Sequence, residues 1–184
     1  QSFVEQCVEL YEHLAGGNLQ PFRKVMTPFI AEQEGASIDE DDDGGTLAPI
    51  ALKVLMKVLY AARIGRYDIL RATCYLARQI TRWTRECDRR LHRLMCYLKA
   101  TACQKTYAWV GDSFESCRLS LFCDADFAGE KDDAKSTSGV FMAIIGPRTF
   151  VPLSAISKKQ GCVSESTCES EIASLAYGLK SEGL

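Results

Sequence analysis

The sequence predicts an α+β chain: a basic helical segment, then a three-stranded antiparallel meander and one helix. Three observations predict it. Apolar residues recur at helical spacing through residues 47–105. From Leu119 the period changes to two, with Leu119, Leu121 and Cys123 alternating with Ser120, Phe122 and Asp124. Ser166-x-x-Glu169 then forms a capping box that opens a final helix.

In chain order, the first 31 residues begin with a helical pattern. Phe3, Val4, Cys7, Val8, Leu10, Tyr11 and Leu14 share a spacing that Gly16-Gly17-Asn18 ends. Arg23 to Phe29 is expected to be extended, because Pro28 disfavours helix before it. Residues 32–46 hold Glu32, Glu34 and Asp39 to Asp43 and close on Gly44-Gly45. Contiguous like charge without apolar anchors predicts a flexible linker. It does not predict a calcium loop, which needs spaced ligands and a glycine at its sixth position.

Residues 47–111 form the helical segment. Leu52, Leu55, Met56 and Leu59 mark one helix. Ile69, Leu70, Cys74, Ala77 and Ile80 mark a second, and Cys87, Leu91, Leu94, Met95 and Leu98 a third. Thr84 is the expected N-cap of the third, with Glu86 favourably placed beside the helix start. Arginines crowd this region. Arg85, Arg89 and Arg93 recur at i, i+4 and i+8, so they form one cationic ridge. A solvated surface and a phosphate-binding surface both fit that ridge. The preference for Arg over Lys favours phosphate, because the guanidinium fork matches phosphate geometry. His13 and His92 show no Cys, Ser or Asp partner at a recognisable spacing, and no chemistry is assigned to them.

Residues 112–184 make the sheet. The first strand ends at Asp124, and a charged turn follows. Gly139 to Gly146 is nearly all apolar, which predicts a central strand buried on both faces. Gly146-Pro147 turns the chain. Thr149 to Ser157 is an edge strand, because Pro152 lacks a ladder donor. The last helix carries the apolar stripe Ile172, Leu175, Ala176 and Leu179, expected to lie on the sheet. Glu169 and Glu171 flank that stripe. Either could bring a second carboxylate to Asp124, as a Mg²⁺ site requires, and spacing alone does not choose between them.

Composition bounds the rest. A chain of 184 residues, 47% hydrophobic and 25% charged, buries an ordinary core as one domain or two small ones. No apolar run reaches the roughly 20 residues of a membrane helix, and no membrane partner is expected. The start is polar, without the pattern of a signal peptide, and begins with Gln, which reads as the interior of a longer chain. Nine cysteines without one C-x-x-C pair argue against zinc. They read as reduced thiols in an intracellular compartment.

Four stretches carry a resemblance. Asp124-Ala-Asp-Phe-Ala-Gly129, Lys135-Ser-Thr-Ser-Gly139, Ser157-Lys-Lys-Gln160 and Ser166-Thr-Cys-Glu-Ser-Glu171 resemble, in order, the DADWAGD, KSTSG, SKKQ and STEAE motifs of the ribonuclease H domain of copia-type retrotransposon polyproteins. Lys24-Val-Met-Thr-Pro28, Leu59-Tyr60, Arg66-Tyr-Asp-Ile69 and Leu94 to Thr101 resemble the same polyprotein between polymerase and ribonuclease H. Phe127 stands where that family has Trp, and Tyr67 where it has Pro.

The resemblance implies a partial ribonuclease H-like fold over 112–184, preceded by the connection segment and, over 1–31, the end of the polymerase region. It implies that Asp124 and Glu171 are catalytic metal ligands, with Asp126 supporting. In the complete domain they would share two Mg²⁺ ions about 4 Å apart, and tight binding of those ions by this segment alone is not expected. It implies an RNA–DNA hybrid as partner, with Arg85, Arg89, Arg93 and Lys158 as contacts, and the rest of the polyprotein as a further partner. The compartment would be cytoplasm, virus-like particle or nucleus. The third and fourth acids of the family's site have no counterpart in this sequence, so hybrid cleavage by the isolated chain is not expected. A non-catalytic nucleic-acid-binding module and an inactive transposon remnant are the alternative expectations.

Overall fold

The computed structural model describes residues 2–30, 44–129 and 133–183. The acidic block over 32–43 and the middle of the charged turn after Gly129 lie outside the described residues. The fold is α+β, with helices first and a three-stranded antiparallel sheet after them. It divides into two compact units, Gln1–Lys105 and Thr106–Leu184.

The first unit is helical. Helix α1 (Phe3–Ala15) starts at a full capping box, in which Ser2 Oγ accepts from the Glu5 amide and the Glu5 carboxylate accepts from the Ser2 amide. Helices α2 (Ala48–Ile64), α3 (Leu70–Arg78) and α4 (Arg85–Ala100) follow. Thr84 caps α4 by accepting from the Cys87 amide. All five apolar residues expected on the α4 face are buried. On α2 the expected stripe is displaced. Ala51, Val54, Leu55, Val58 and Ala62 are buried, while Leu52 and Met56 are exposed. Both stripes of α2 are apolar, and its packing against α1 and α3 decides which one is covered. On α3 the buried positions are Leu70, Ala72, Thr73 and Leu76, and Cys74 is only half-buried.

Asp88 organises this unit. Its carboxylate accepts from the Thr46 amide at 2.7 Å, the Thr46 hydroxyl at 3.0 Å, the Leu47 amide at 3.1 Å and Trp83 Nε1 at 2.7 Å. One side chain thereby ties the start of α2 to the start of α4. Gly45 is required here, since a Cβ would sit 2.4 Å from the Thr84 carbonyl oxygen and 2.6 Å from Asp88 Oδ1. Gly44 to Thr46, expected to close the linker, are therefore part of the packed unit.

The second unit is the sheet and one helix. Strands β1 (Arg118–Asp126), β2 (Thr137–Gly146) and β3 (Thr149–Lys159) pair in the order β1-β2-β3, with Asp124 opposite Gly139. Strand β2 is central, as its apolar run predicts. It is not buried throughout, since Val140 and Ala143 are buried but Phe141, Met142, Ile144 and Ile145 are half-buried. Pro152 lies on the edge strand β3, beside a register shift at Met142/Ala143. Residues 106–111, assigned from sequence to the helical segment, belong to this unit. Trp109 exchanges two backbone hydrogen bonds with Phe150, and Thr149 Oγ1 accepts from the amides of Gly111 and Asp112.

Helix α5 (Thr167–Glu182) packs on β1 and β2 through a face the hydrophobic pattern does not show. Its buried residues are Ser170, Ser174 and Gly178, at i, i+4 and i+8. The expected stripe points outward, with Ile172 64%, Leu175 47% and Leu179 41% exposed. The reason is steric. A Cβ on Gly178 would lie 2.8 Å from Cys123 Sγ and 3.3 Å from Val140 Cγ1, so only small residues let the helix come this close. The capping box is half-formed: Ser166 Oγ accepts from the Glu169 amide, but the Glu169 carboxylate accepts from the Glu165 amide instead of that of Ser166.

Candidate functional site

Asp124 sits near the end of β1, exposed. The side chains of Leu121 and Cys123 meet α5 at Gly178, so the strand's alternation turns Asp124 to the other face. Its backbone is held by the helix. Ser174 Oγ donates to the Asp124 carbonyl at 2.7 Å and lies 3.4 Å from the Gly139 carbonyl. Glu171 is half-exposed, less than one turn before Ser174. Burial, together with the Glu171 charge, pushes the Cys123 thiol up. Asp124 is tied to α5 through its backbone carbonyl while its side chain takes the other face, and among the described residues no contact or metal-holding group joins its carboxylate to that of Glu171. Glu169, the other candidate, is occupied in capping the helix start.

Asp126 closes the turn after β1. A Cβ on Gly129 would lie 2.3 Å from Asp126 Oδ2, so a side chain there would have to displace that carboxylate. The Gly129 amide donates to the Asp126 carbonyl. Ala128, between them, has φ +50°, a left-handed conformation uncommon for a residue with a Cβ. Its amide donates to Ser136 Oγ at 3.2 Å.

A polar network lies beneath. Gln160, just past β3, donates through Nε2 to Ser138 Oγ at 3.1 Å and to the Ser170 carbonyl at 2.9 Å. Its Oε1 accepts from Ser164 Oγ at 3.3 Å, and its amide donates to the Ser136 carbonyl at 2.8 Å. Ser136, Ser138, Ser164 and Ser170 are all buried. Lys158 extends over the ring of Tyr177, its Nζ 4.8 Å from the centroid.

The basic residues of α4 are largely engaged within the first unit. Arg93 donates to the Thr27 carbonyl and hydroxyl, both at 3.0 Å. Arg89 pairs with Glu86 while remaining 74% exposed. Arg90 is buried against Phe29 and Tyr75, and donates to Glu86 and the Ile30 carbonyl. Arg93 thus fastens the Thr27–Pro28 stretch to α4, and Arg85 and Arg89 are the more outward members of the ridge.

His92 has the partners its sequence context did not reveal. Tyr11 Oη is 3.1 Å from Nδ1, and Cys96 Sγ, four residues along α4, is 3.4 Å from Nε2. Burial and the nearby Arg23 charge hold its pKa below the usual histidine range, against a hydrogen bond to the Pro21 carbonyl. The three side chains are buried, and the arrangement is a packed interior contact. All nine cysteines are free.

No family model matches this chain, and no solved structure does. Among the described residues, no three His, Cys, Asp or Glu side chains form a metal-holding cluster, and no helix is long and apolar enough to cross a membrane. The two candidate ligands, Asp124 and Glu171, are both carboxylates. That set suits Mg²⁺, which is commonly held by one or two carboxylates with water and substrate oxygens completing its shell.

Proposed function

We propose that this chain is a segment of a copia-type retrotransposon polyprotein, covering the connection from polymerase to ribonuclease H and the first part of the ribonuclease H domain. The activity of the whole protein would be reverse transcription with hydrolysis of the RNA strand of RNA–DNA hybrids. One observation carries the reading. Four motif stretches far apart in sequence supply residues to one hydrogen-bonded corner: Asp124 from β1, Ser136 just before β2 and Ser138 within it, Gln160 just past β3, and Ser170 beside Glu171 from α5.

In this reading Asp124 and Glu171 would hold Mg²⁺, whose chemistry when bound is to activate water and stabilise the leaving oxygen. The chain's own residues do the positioning. Ser174 fixes the Asp124 backbone against α5, and the small face of α5 lets the helix start approach the end of β1. Two carboxylates are half of the set that the motifs imply, so hybrid binding is the property by which this chain is tested.

The test is hybrid affinity against salt. Log affinity falls with a slope of about −0.9 per phosphate neutralised. Arg85→Ala and Arg89→Ala should each reduce that slope by about one phosphate. Arg93→Ala should mainly destabilise the first unit, because its guanidinium holds Thr27. A flat salt response in the unmodified chain would refute phosphate contact.

A further inference from the structure

We infer that Gln160 is a positioning residue for the Asp124–Glu171 pair, acting as a latch between the start of α5 and β2; this rests on the metal reading given above. The argument is where its two N–H donors go. One reaches Ser138, the neighbour of Gly139, which pairs with Asp124 across the ladder. The other reaches the carbonyl of Ser170, the residue before Glu171. Each bond therefore lands one residue from a backbone position that bears or faces a site carboxylate.

The orientation of the amide is fixed by chemistry. The Ser170 carbonyl only accepts, so Nε2 must face it, and Oε1 is left to accept from Ser164. The Gln160 backbone is itself held by the Ser136 carbonyl, so the side chain is anchored at its root. Ser170 Oγ turns away to the Thr167 carbonyl inside α5. Near the first turn of α5, the bonds to the sheet region are then the Gln160 bond at Ser170 and, one turn on, the Ser174 bond to Asp124. Losing Nε2 frees the turn that carries Glu171 while leaving the ladder between β1 and β2 intact.

The test uses the whole chain with Mg²⁺ alone as the probe. Backbone-amide NMR follows a Mg²⁺ titration, and hydrogen exchange is measured without metal. Gln160→Met keeps the side-chain length and removes both donors. Gln160→Glu keeps the shape and is the second variant should the first fail to fold. In the unmodified chain, Mg²⁺ should shift the amides around Asp124 and Glu171. In either variant the apparent affinity should weaken about tenfold, the scale of losing a group that orients a metal ligand. Exchange should quicken at Ser170 to Ile172 while Val140 and Ala143 keep their protection. An unchanged Mg²⁺ affinity in a folded variant would overturn the inference. If the unmodified chain gives no Mg²⁺ response, the metal reading fails and exchange alone decides. Selective loss at Ser170 to Ile172 keeps Gln160 as the anchor of α5, and a uniform or absent change removes that role too.

Discussion

Replacing Gly178 by alanine should destabilise the second unit, and the effect should vanish or reverse when Cys123 is also alanine. Gly178 lies inside α5, where alanine is favoured over glycine by about 1 kcal/mol. Against that gain stands a contact. The new methyl would lie 2.8 Å from Cys123 Sγ, roughly an ångström inside ordinary van der Waals separation. Relieving it means rotating the thiol or lifting the helix, and such overpacking costs about 1–3 kcal/mol. The net expectation is a loss of about 1 kcal/mol. In a Cys123→Ala background the remaining neighbours are the methyl ends of Val140 at 3.3 Å and Leu121 at 3.4 Å, which need to give only a few tenths of an ångström. There the propensity gain wins, and Gly178→Ala should be neutral or stabilising by up to about 1 kcal/mol. Urea unfolding of the four proteins, followed by circular dichroism, measures the cycle. A coupling of about 1–2 kcal/mol is expected, within the range for residues in contact. Additivity within about 0.3 kcal/mol would refute the close approach of α5 to β1.

Two further perturbations address the first unit. Asp88→Ala should cost about 3–4 kcal/mol, the lower part of the sum for two partly buried hydrogen bonds to a carboxylate at about 1.5–3 kcal/mol each, since water still reaches them; unfolding read by Trp83 fluorescence checks it, and a loss below about 0.5 kcal/mol would contradict the clasp. His92 predicts a pH effect of definite sign. Its folded pKa is lowered, so the unfolded chain takes up its proton first, and the contribution is complete above the ordinary value of about 6.5 and is lost as pH falls below it. Urea midpoints at pH 7.5 and 5.5 should therefore differ, with the lower at pH 5.5, and His92→Phe should shrink the difference.

The strands, their order and the α4 helix were legible because each rests on a strong local signal. Period-two alternation gave β1, an apolar run between glycines gave β2, Pro152 marked the edge strand, and Thr84 marked the α4 cap. Helix faces were less legible. On α2 two apolar stripes compete, and the partner helices choose between them. On α5 the hydrophobic stripe pointed to the wrong face, because close approach to the sheet depends on small residues. The spacing of Ser170, Ser174 and Gly178 carried that signal, but polarity and size both conceal it from a hydrophobicity reading. Asp124 and Glu171 were legible as motif residues. The parts that hold them, Ser174 and Gln160, are long-range hydrogen bonds with no local pattern. The arginine ridge reads as uniform in sequence, yet Arg93 is spent on Thr27, a residue 66 positions away.

The metal reading proposed above has Asp124 and Glu171 together holding a divalent ion. Mn²⁺, a paramagnetic substitute for Mg²⁺, tests it directly through distance-dependent broadening of backbone-amide NMR signals. The account predicts broadening centred on residues around 124 and 171, removed by either Asp124→Asn or Glu171→Gln. Broadening centred on the acidic stretch at 39–43, or broadening indifferent to both substitutions, would contradict it.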